Sequence, residues 1–246
     1  MKTKVLNVPF DVVTNEQALK IAMDFLKKDK NHTIFTPNPE IVMEAQQDLS
    51  FMKILKEADL IIPDGIGVVM ASKLNKVKLK ERVAGCDLVF SLFEEIKNKE
   101  YTVYIVGGRP GVAEQAKMRM EEKYKGIKIV GTHSGYFDEK EEKKIVDEIK
   151  EKKPHILLVG LSAPKQEKWI YRYKKEFPVK ISMGVGGSID VMAGTVKRAP
   201  KIYQKTGLEW LYRFASEPSR IKRMIRLPLF VIEVIKEKII FGGRRK

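Results

Sequence analysis

The sequence predicts an α/β fold, a parallel sheet with helices on both faces, followed by a basic helical C-terminal appendage. Three observations predict it. Short apolar runs alternate with helical stretches of about ten to fifteen residues. Glycines and unusual polar residues gather just after those apolar runs. Positive charge concentrates in the last fifth of the chain.

The elements follow in order. Lys4 to Val8 reads as a short strand. Thr14 with Gln17 forms a capping box that opens a helix through about Lys28. His32 to Thr36 reads as a buried strand. Asn38 then offers an N-cap with Pro39 at the first helical position, and that helix runs through Gln47. Ser50 to Ala58 is a second short helix, and Leu60 to Pro63 a strand. A helical stretch covers Asp87 to Lys99. From there strands at Tyr101–Val106, Ile127–Gly131, His155–Gly160 and Val179–Val185 alternate with helices at Val112–Tyr124, up to Lys152, and up to Glu176. The whole is a Rossmann-like arrangement with no internal repeat, and charge density shifts near Thr195. Residues 1–195 are therefore expected to form an α/β catalytic core, and 196–246 a basic amphipathic appendage.

Composition narrows the function. The chain has 246 residues, 43% apolar, enough for one large domain or a domain with an appendage. The single cysteine, Cys86, rules out an internal disulfide framework. His32, His133 and His155 lie far apart without ligand spacing, so no metal site is expected. The start, MKTKVLNVPF, lacks the apolar stretch of a secretory signal, so a cytoplasmic location is expected.

Net charge is +15, and +10 of it lies between Val196 and Lys246. The same segment carries Trp210, Leu211, Tyr212 and Phe214, then mixed cations and large apolar residues through Phe241. Its longest charge-free run, Leu227 to Ile232, is six residues, against roughly 20 for a spanning helix. Such a segment suits a helix lying on an anionic membrane surface, or one packed on the core with a solvated basic face. Charge alone also fits a nucleic-acid-binding protein.

In open parallel sheets ligands bind beyond the carboxyl ends of the strands. Five loops there carry the candidate residues. Gly107, Gly108, Arg109 and Gly111 lie between a strand and a helix, where backbone N–H groups can approach a phosphate. Gly184, Gly186, Gly187 and Asp190 form a second such loop. Neither has full dinucleotide spacing and no Walker lysine follows, which counts against a nucleotide-dependent oxidoreductase. Asp64, after an apolar strand and before Gly65 and Gly67, is a candidate general base, or a helix cap. Thr36, Asn38, Arg82 and Gln166 are the other polar residues at these ends, each with a capping or solvated alternative.

Together these residues carry a resemblance. Thr36-Pro-Asn38, Pro63-Asp64-Gly65, Arg82-Val-Ala-Gly85, Gly107-Gly-Arg109, Ser134-Gly-Tyr136-Phe137, Gly160 through Trp169, Gly184-Val-Gly-Gly187 and Lys197-Arg-Ala-Pro200 resemble the WecG/TagA/CpsF glycosyltransferases in order along nearly the whole chain. The tail is similar to the TagA branch. The resemblance implies an inverting transferase that works without metal or other cofactor. It would move N-acetylmannosamine from UDP-N-acetylmannosamine to polyprenyl-diphosphate-linked GlcNAc, in the synthesis of the wall teichoic acid linkage unit. It implies Asp64 as base, with Thr36, Asn38, Arg82 and Gln166 in the cleft. The glycine loops, Tyr136 and Asp190 would bind nucleotide, and Arg213, Arg220 and Arg223 would reach the diphosphate from the appendage. Location would be peripheral, on the inner face of the cell membrane. A homo-oligomer is compatible with the sequence but not specified by it, and the donor of a related transferase stands as the alternative. No nucleic acid is expected as a partner.

Overall fold

A computed structural model describes residues 1–216 and 225–242. Its first elements are β1 (Lys2–Val5) and β2 (Val8–Asp11), an antiparallel hairpin where one strand was expected over Lys4–Val8. The chain reverses at Leu6 and Asn7, both at positive φ (46° and 64°). Two left-handed residues match the twist of the flanking strands, and asparagine tolerates that conformation far better than leucine. Leu6 is held there by burial in the core.

Next come α1 (Asn15–Leu26), β3 (His32–Phe35), α2 (Pro39–Gln47), α3 (Leu49–Lys56) and β4 (Leu60–Ile61). The expected capping box opens α1: Thr14 Oγ1 accepts from the Gln17 N–H at 3.2 Å, and Gln17 Oε1 accepts from the Thr14 N–H at 3.1 Å. Asp11 Oδ2 accepts from the Ile61 N–H at 2.9 Å, so the hairpin's end caps the outer side of β4.

Then follow α4 (Ile66–Ser72), α5 (Gly85–Ile96), β5 (Thr102–Gly107), α6 (Val112–Lys123), β6 (Lys128–His133) and α7 (Glu139–Lys152). The chain continues through β7 (Ile156–Gly160), α8 (Lys165–Tyr173), β8 (Ile181–Gly184) and α9 (Ser188–Ala193). Beyond Thr195 lie α10 (Lys201–Lys205), α11 (Glu209–Ser216) and α12 (Arg226–Gly242). Helices α4 and α9 have no counterpart in the sequence reading, because their glycine-rich starts look like plain turns.

The main sheet has the order β4-β3-β8-β7-β5-β6, and every pairing is parallel. From β5 the chain steps outward to β6; from β7 it steps the other way to β8. The gap between β5 and β7 is therefore a topological switch point, where such sheets hold ligands. Both faces of the sheet are buried, as continuous apolar strands require. Phe35, Ile61, Tyr104 and Leu157 enter one core; Ile34, Leu60, Ile105 and Leu158 enter the other. Helix α12 joins the first core through Phe230 and Val234, packing on α2 and α4. Its Lys238 donates to Asn75 Oδ1 at 2.6 Å, and Arg226 pairs with Glu44. No described helix is long and apolar enough to cross a membrane.

Candidate active site

The β3 and β4 ends build the first half of the site. Ile62 N–H donates to Phe35 O at 3.0 Å and extends the ladder past β4, so Asp64 emerges at the strand tips. Two glycines let the surrounding loops close. A Cβ on Gly65, whose φ is +128°, would lie 3.0 Å from Pro39 Cδ. One on Gly85 would lie 2.9 Å from Thr36 Cγ2. Larger residues would push Thr36 and Asn38 away from Asp64.

Asp64 Oδ2 accepts from the Gly85 N–H at 3.1 Å, at the start of α5, where unsatisfied N–H groups favour an anion. Its Oδ1 accepts from Arg82 Nη2 at 3.3 Å. The same nitrogen donates to Glu209 Oε2 at 2.7 Å, from the first turn of α11. Arg82 is mostly buried. Burial works against its charge, but Asp64 and Glu209 together hold the guanidinium above its ordinary pKa. The Asp64 side chain is 28% exposed, so the carboxylate remains reachable from outside. Thr36 and Asn38 are half-buried beside it. Asn38 Oδ1 caps α2, accepting from the Ile41 N–H at 3.0 Å, as its sequence position predicted. Its NH2 is what it can offer a ligand.

The second half lies at β5 and β6. A Cβ on Gly107 would sit 2.5 Å from Ile189 and 2.6 Å from Gly160 O, so three strand-end loops interlock there. Gly135 N–H donates to Gly108 O at 2.8 Å, stitching the Ser134–Phe137 loop to the glycine loop. Arg109 and Tyr136 both stand exposed on this rim. Between the halves, Gly186 has positive φ (+49°) and open space where a Cβ would be. Gly187 leads into α9, whose first turn carries the half-buried Asp190.

Gln166 departs from expectation. It was expected in the cleft, yet it is buried, and both ends of its amide bond to protein. Oε1 accepts from the Gly186 N–H at 3.0 Å and Nε2 donates to Glu167 Oε1 at 2.8 Å. It is a strut under the glycine loop. Glu167 is itself buried with no partner for Oε2, and burial pushes its carboxyl up to about 7. Arg213 lies on α11, one turn beyond Glu209. Arg220 and Arg223 lie outside the described residues.

Sequence reasoning missed Glu209, Glu167 and the Arg198 fork on Asp87, in which both terminal nitrogens of Arg198 reach the Asp87 carboxylate. Glu209 and Arg82 are 127 positions apart. No local pattern announces such a pair. The Lys197-Arg-Ala-Pro200 string did single out Arg198, though not its partner.

An acid–arginine pair and two glycine loops, set along one edge of a doubly covered parallel sheet, fit a group-transfer enzyme. The description "Glycosyl transferase WecG/TagA/CpsF family" matches residues 3–243, and the chain belongs to that family. It is 37% identical over 241 residues to an N-acetylglucosaminyldiphosphoundecaprenol N-acetyl-beta-D-mannosaminyltransferase of Bacillus spizizenii, covering 97% of this chain and 93% of that one. Proteins of the same name from Bacillus subtilis and Staphylococcus aureus are 35% and 34% identical, covering 97% and 96% of this chain and 93% of each relative.

Proposed function

We propose that the protein transfers N-acetylmannosamine from UDP-N-acetylmannosamine to polyprenyl-diphosphate-linked GlcNAc, with inversion at the anomeric carbon. The carrying observation is Asp64, reachable at the strand tips and braced by Arg82 and the Gly85 N–H. The relatives' shared name supplies the donor sugar and the acceptor.

The acceptor hydroxyl attacks the anomeric carbon from the face opposite the diphosphate. It is too weak an acid to ionise alone, so Asp64 takes its proton as the new bond forms. The bond to the diphosphate breaks and UDP leaves. From β3 to β5 is three strand spacings, roughly 14 Å, a span suited to a sugar at one end and a nucleoside at the other. Tyr136, Asp190 and the loops of Gly107, Gly108, Arg109, Gly186 and Gly187 take the nucleotide. Thr36 and the Asn38 amide orient the sugars.

Charge on the departing UDP falls to arginines and helix N-termini. Among the described residues, no group of three His, Cys, Asp or Glu side chains is placed to hold a metal ion. Arginine grips a diphosphate with two parallel hydrogen bonds, the role given to Arg213, Arg220 and Arg223. The contact from Glu209 to Arg82 supports it by bringing the start of α11 to Asp64.

Residues 196–246 act as a membrane-binding appendage to the 1–195 core, on the inner face of the cell membrane. Leu229, Ile232, Ile235 and Ile239 are all exposed and recur at helical spacing, on the opposite side of α12 from Phe230 and Val234. Each cation near an anionic leaflet adds about 1 kcal/mol of attraction.

The test is UDP release with a short-chain lipid diphosphate GlcNAc acceptor and a panel of UDP-sugars. Release that needs both the acceptor and UDP-N-acetylmannosamine is expected. Preference for another UDP-hexose would replace the donor; no release with any donor would remove the function.

A further inference from the structure

Resting on the transferase reading above, we infer that Glu209, carried by the appendage, is a positioning residue that holds Arg82 partly off Asp64 and so keeps that carboxylate basic enough to take a proton. Three observations carry this. First, one nitrogen serves both acids: Arg82 Nη2 is 2.7 Å from Glu209 Oε2 and 3.3 Å from Asp64 Oδ1. The shorter bond goes to the appendage. Second, Glu209 is buried, and a buried carboxylate this close to a guanidinium forms a strong, charge-assisted bond. Third, the pair joins two parts of the chain that nothing local would bring together, since Glu209 opens α11 while Arg82 precedes α5.

The sign of the effect follows. A guanidinium close to a carboxylate favours its ionised form and weakens it as a base; a second carboxylate nearby does the reverse. Removing the charge of Glu209 takes away a like charge near Asp64 and also frees Arg82 to settle on Asp64. Both changes lower the pKa of Asp64. Among the described residues Arg198 is a further charged group near the site, held by Asp87 at the start of α5, and the buried Cys86 thiol beside it is pushed up to about 11 by burial. Arg198 also feels the Glu209 charge, but its fork on Asp87 does not depend on Glu209, so replacing Glu209 brings no new anion toward Asp64.

The experiment measures kcat/KM against pH in the UDP-release assay for the full chain, Glu209→Gln and Glu209→Asp. Tryptophan fluorescence, from the buried Trp169 and from Trp210 next to the substituted residue, and thermal melts show whether each variant stays folded. In Glu209→Gln the acid limb should move to lower pH by about half a unit or more, with kcat/KM at the plateau down about tenfold. Glu209→Asp, which draws the charge back by one methylene, should move the limb the same way by less. An acid limb that stays in place, or moves up, in either folded variant overturns the inference whatever the loss of rate. If the unaltered chain releases no UDP, the transferase reading fails instead.

Discussion

Asp59 and Asp64 flank β4, five residues apart, and they are held in opposite ways. Asp59, at the start of the strand, is crowded with donors. Its Oδ2 accepts from Lys174 Nζ at 2.7 Å, the Thr33 N–H at 3.0 Å and Thr33 Oγ1 at 3.1 Å, while Lys30 Nζ lies 3.4 Å from Oδ1. Burial works to raise its pKa, but these partners hold the carboxyl well below the usual range. Asp64, beyond the strand's end, has the Gly85 N–H and Arg82 among its partners, and its side chain stays 28% exposed. A carboxylate saturated with donors is a fastener. One held in place but still reachable can do chemistry.

The largest test of that contrast exchanges each acid for its amide. Asp64→Asn should lower kcat by about 10²- to 10⁴-fold with little change in melting temperature, because it removes a proton acceptor and keeps the shape. Near-normal turnover would end the role of Asp64. Asp59→Asn should do the reverse. It leaves Lys174 poorly paired and should cost about 3 kcal/mol of stability, with turnover of the folded fraction kept at low temperature. The sign of its pH dependence is fixed. The folded-state pKa is depressed, so the contribution of Asp59 is present above the unfolded value near 3.8 and is lost as pH falls toward the folded one. Denaturant melts should therefore find wild type and Asp59→Asn closer together at pH 3 than at pH 7.

Glu167 sharpens the comparison from the other side, as an acid with too few donors. Its folded pKa of about 7 stands above the ordinary 4.5. The unfolded chain thus binds fewer protons between those values, and stability falls as pH rises from 4.5 to 7, then levels off. Glu167→Gln keeps an acceptor for Gln166 and removes that titration. It should be roughly 1 to 3 kcal/mol more stable than wild type at pH 8 and gain little at pH 5. Equal melts at both values would show that the carboxyl is better solvated than its burial implies. The smallest expected effect is that of a chelator. With arginines and helix N-termini balancing charge on the leaving group, activity with and without chelator should agree within about twofold; inhibition reversed by magnesium would say otherwise.

Much of this was legible in the sequence, for identifiable reasons. Periodicity located the sheet strands and most helices, and the caps at Thr14 and Asn38 were local chemistry that tertiary packing had no cause to override. The strand-tip rule put Asp64 and the glycine loops on one edge. What could not be read depended on distance or on backbone shape. The Leu6–Asn7 turn has neither glycine nor proline to mark it, and it is held by burial of Leu6 and by the Gln46 amide, which donates to Leu6 O at 2.7 Å. Gln166 looked available because nothing local shows that Gly186 lies against it, as the Cβ that would meet Gln166 Nε2 at 2.9 Å from Gly184 also illustrates. The pairing of Arg82 with Glu209 needs the appendage to fold back across the chain.

The Asp11 carboxylate on the Ile61 amide has a bearing beyond this one molecule. β4 borders the sheet, and an uncovered border strand is a template on which foreign chains can nucleate fibres. With that amide already engaged and a negative charge standing in the path, a stray segment gains nothing by docking there. The hairpin turns a growing edge into a dead end, so crowded conditions during synthesis carry less danger on that flank.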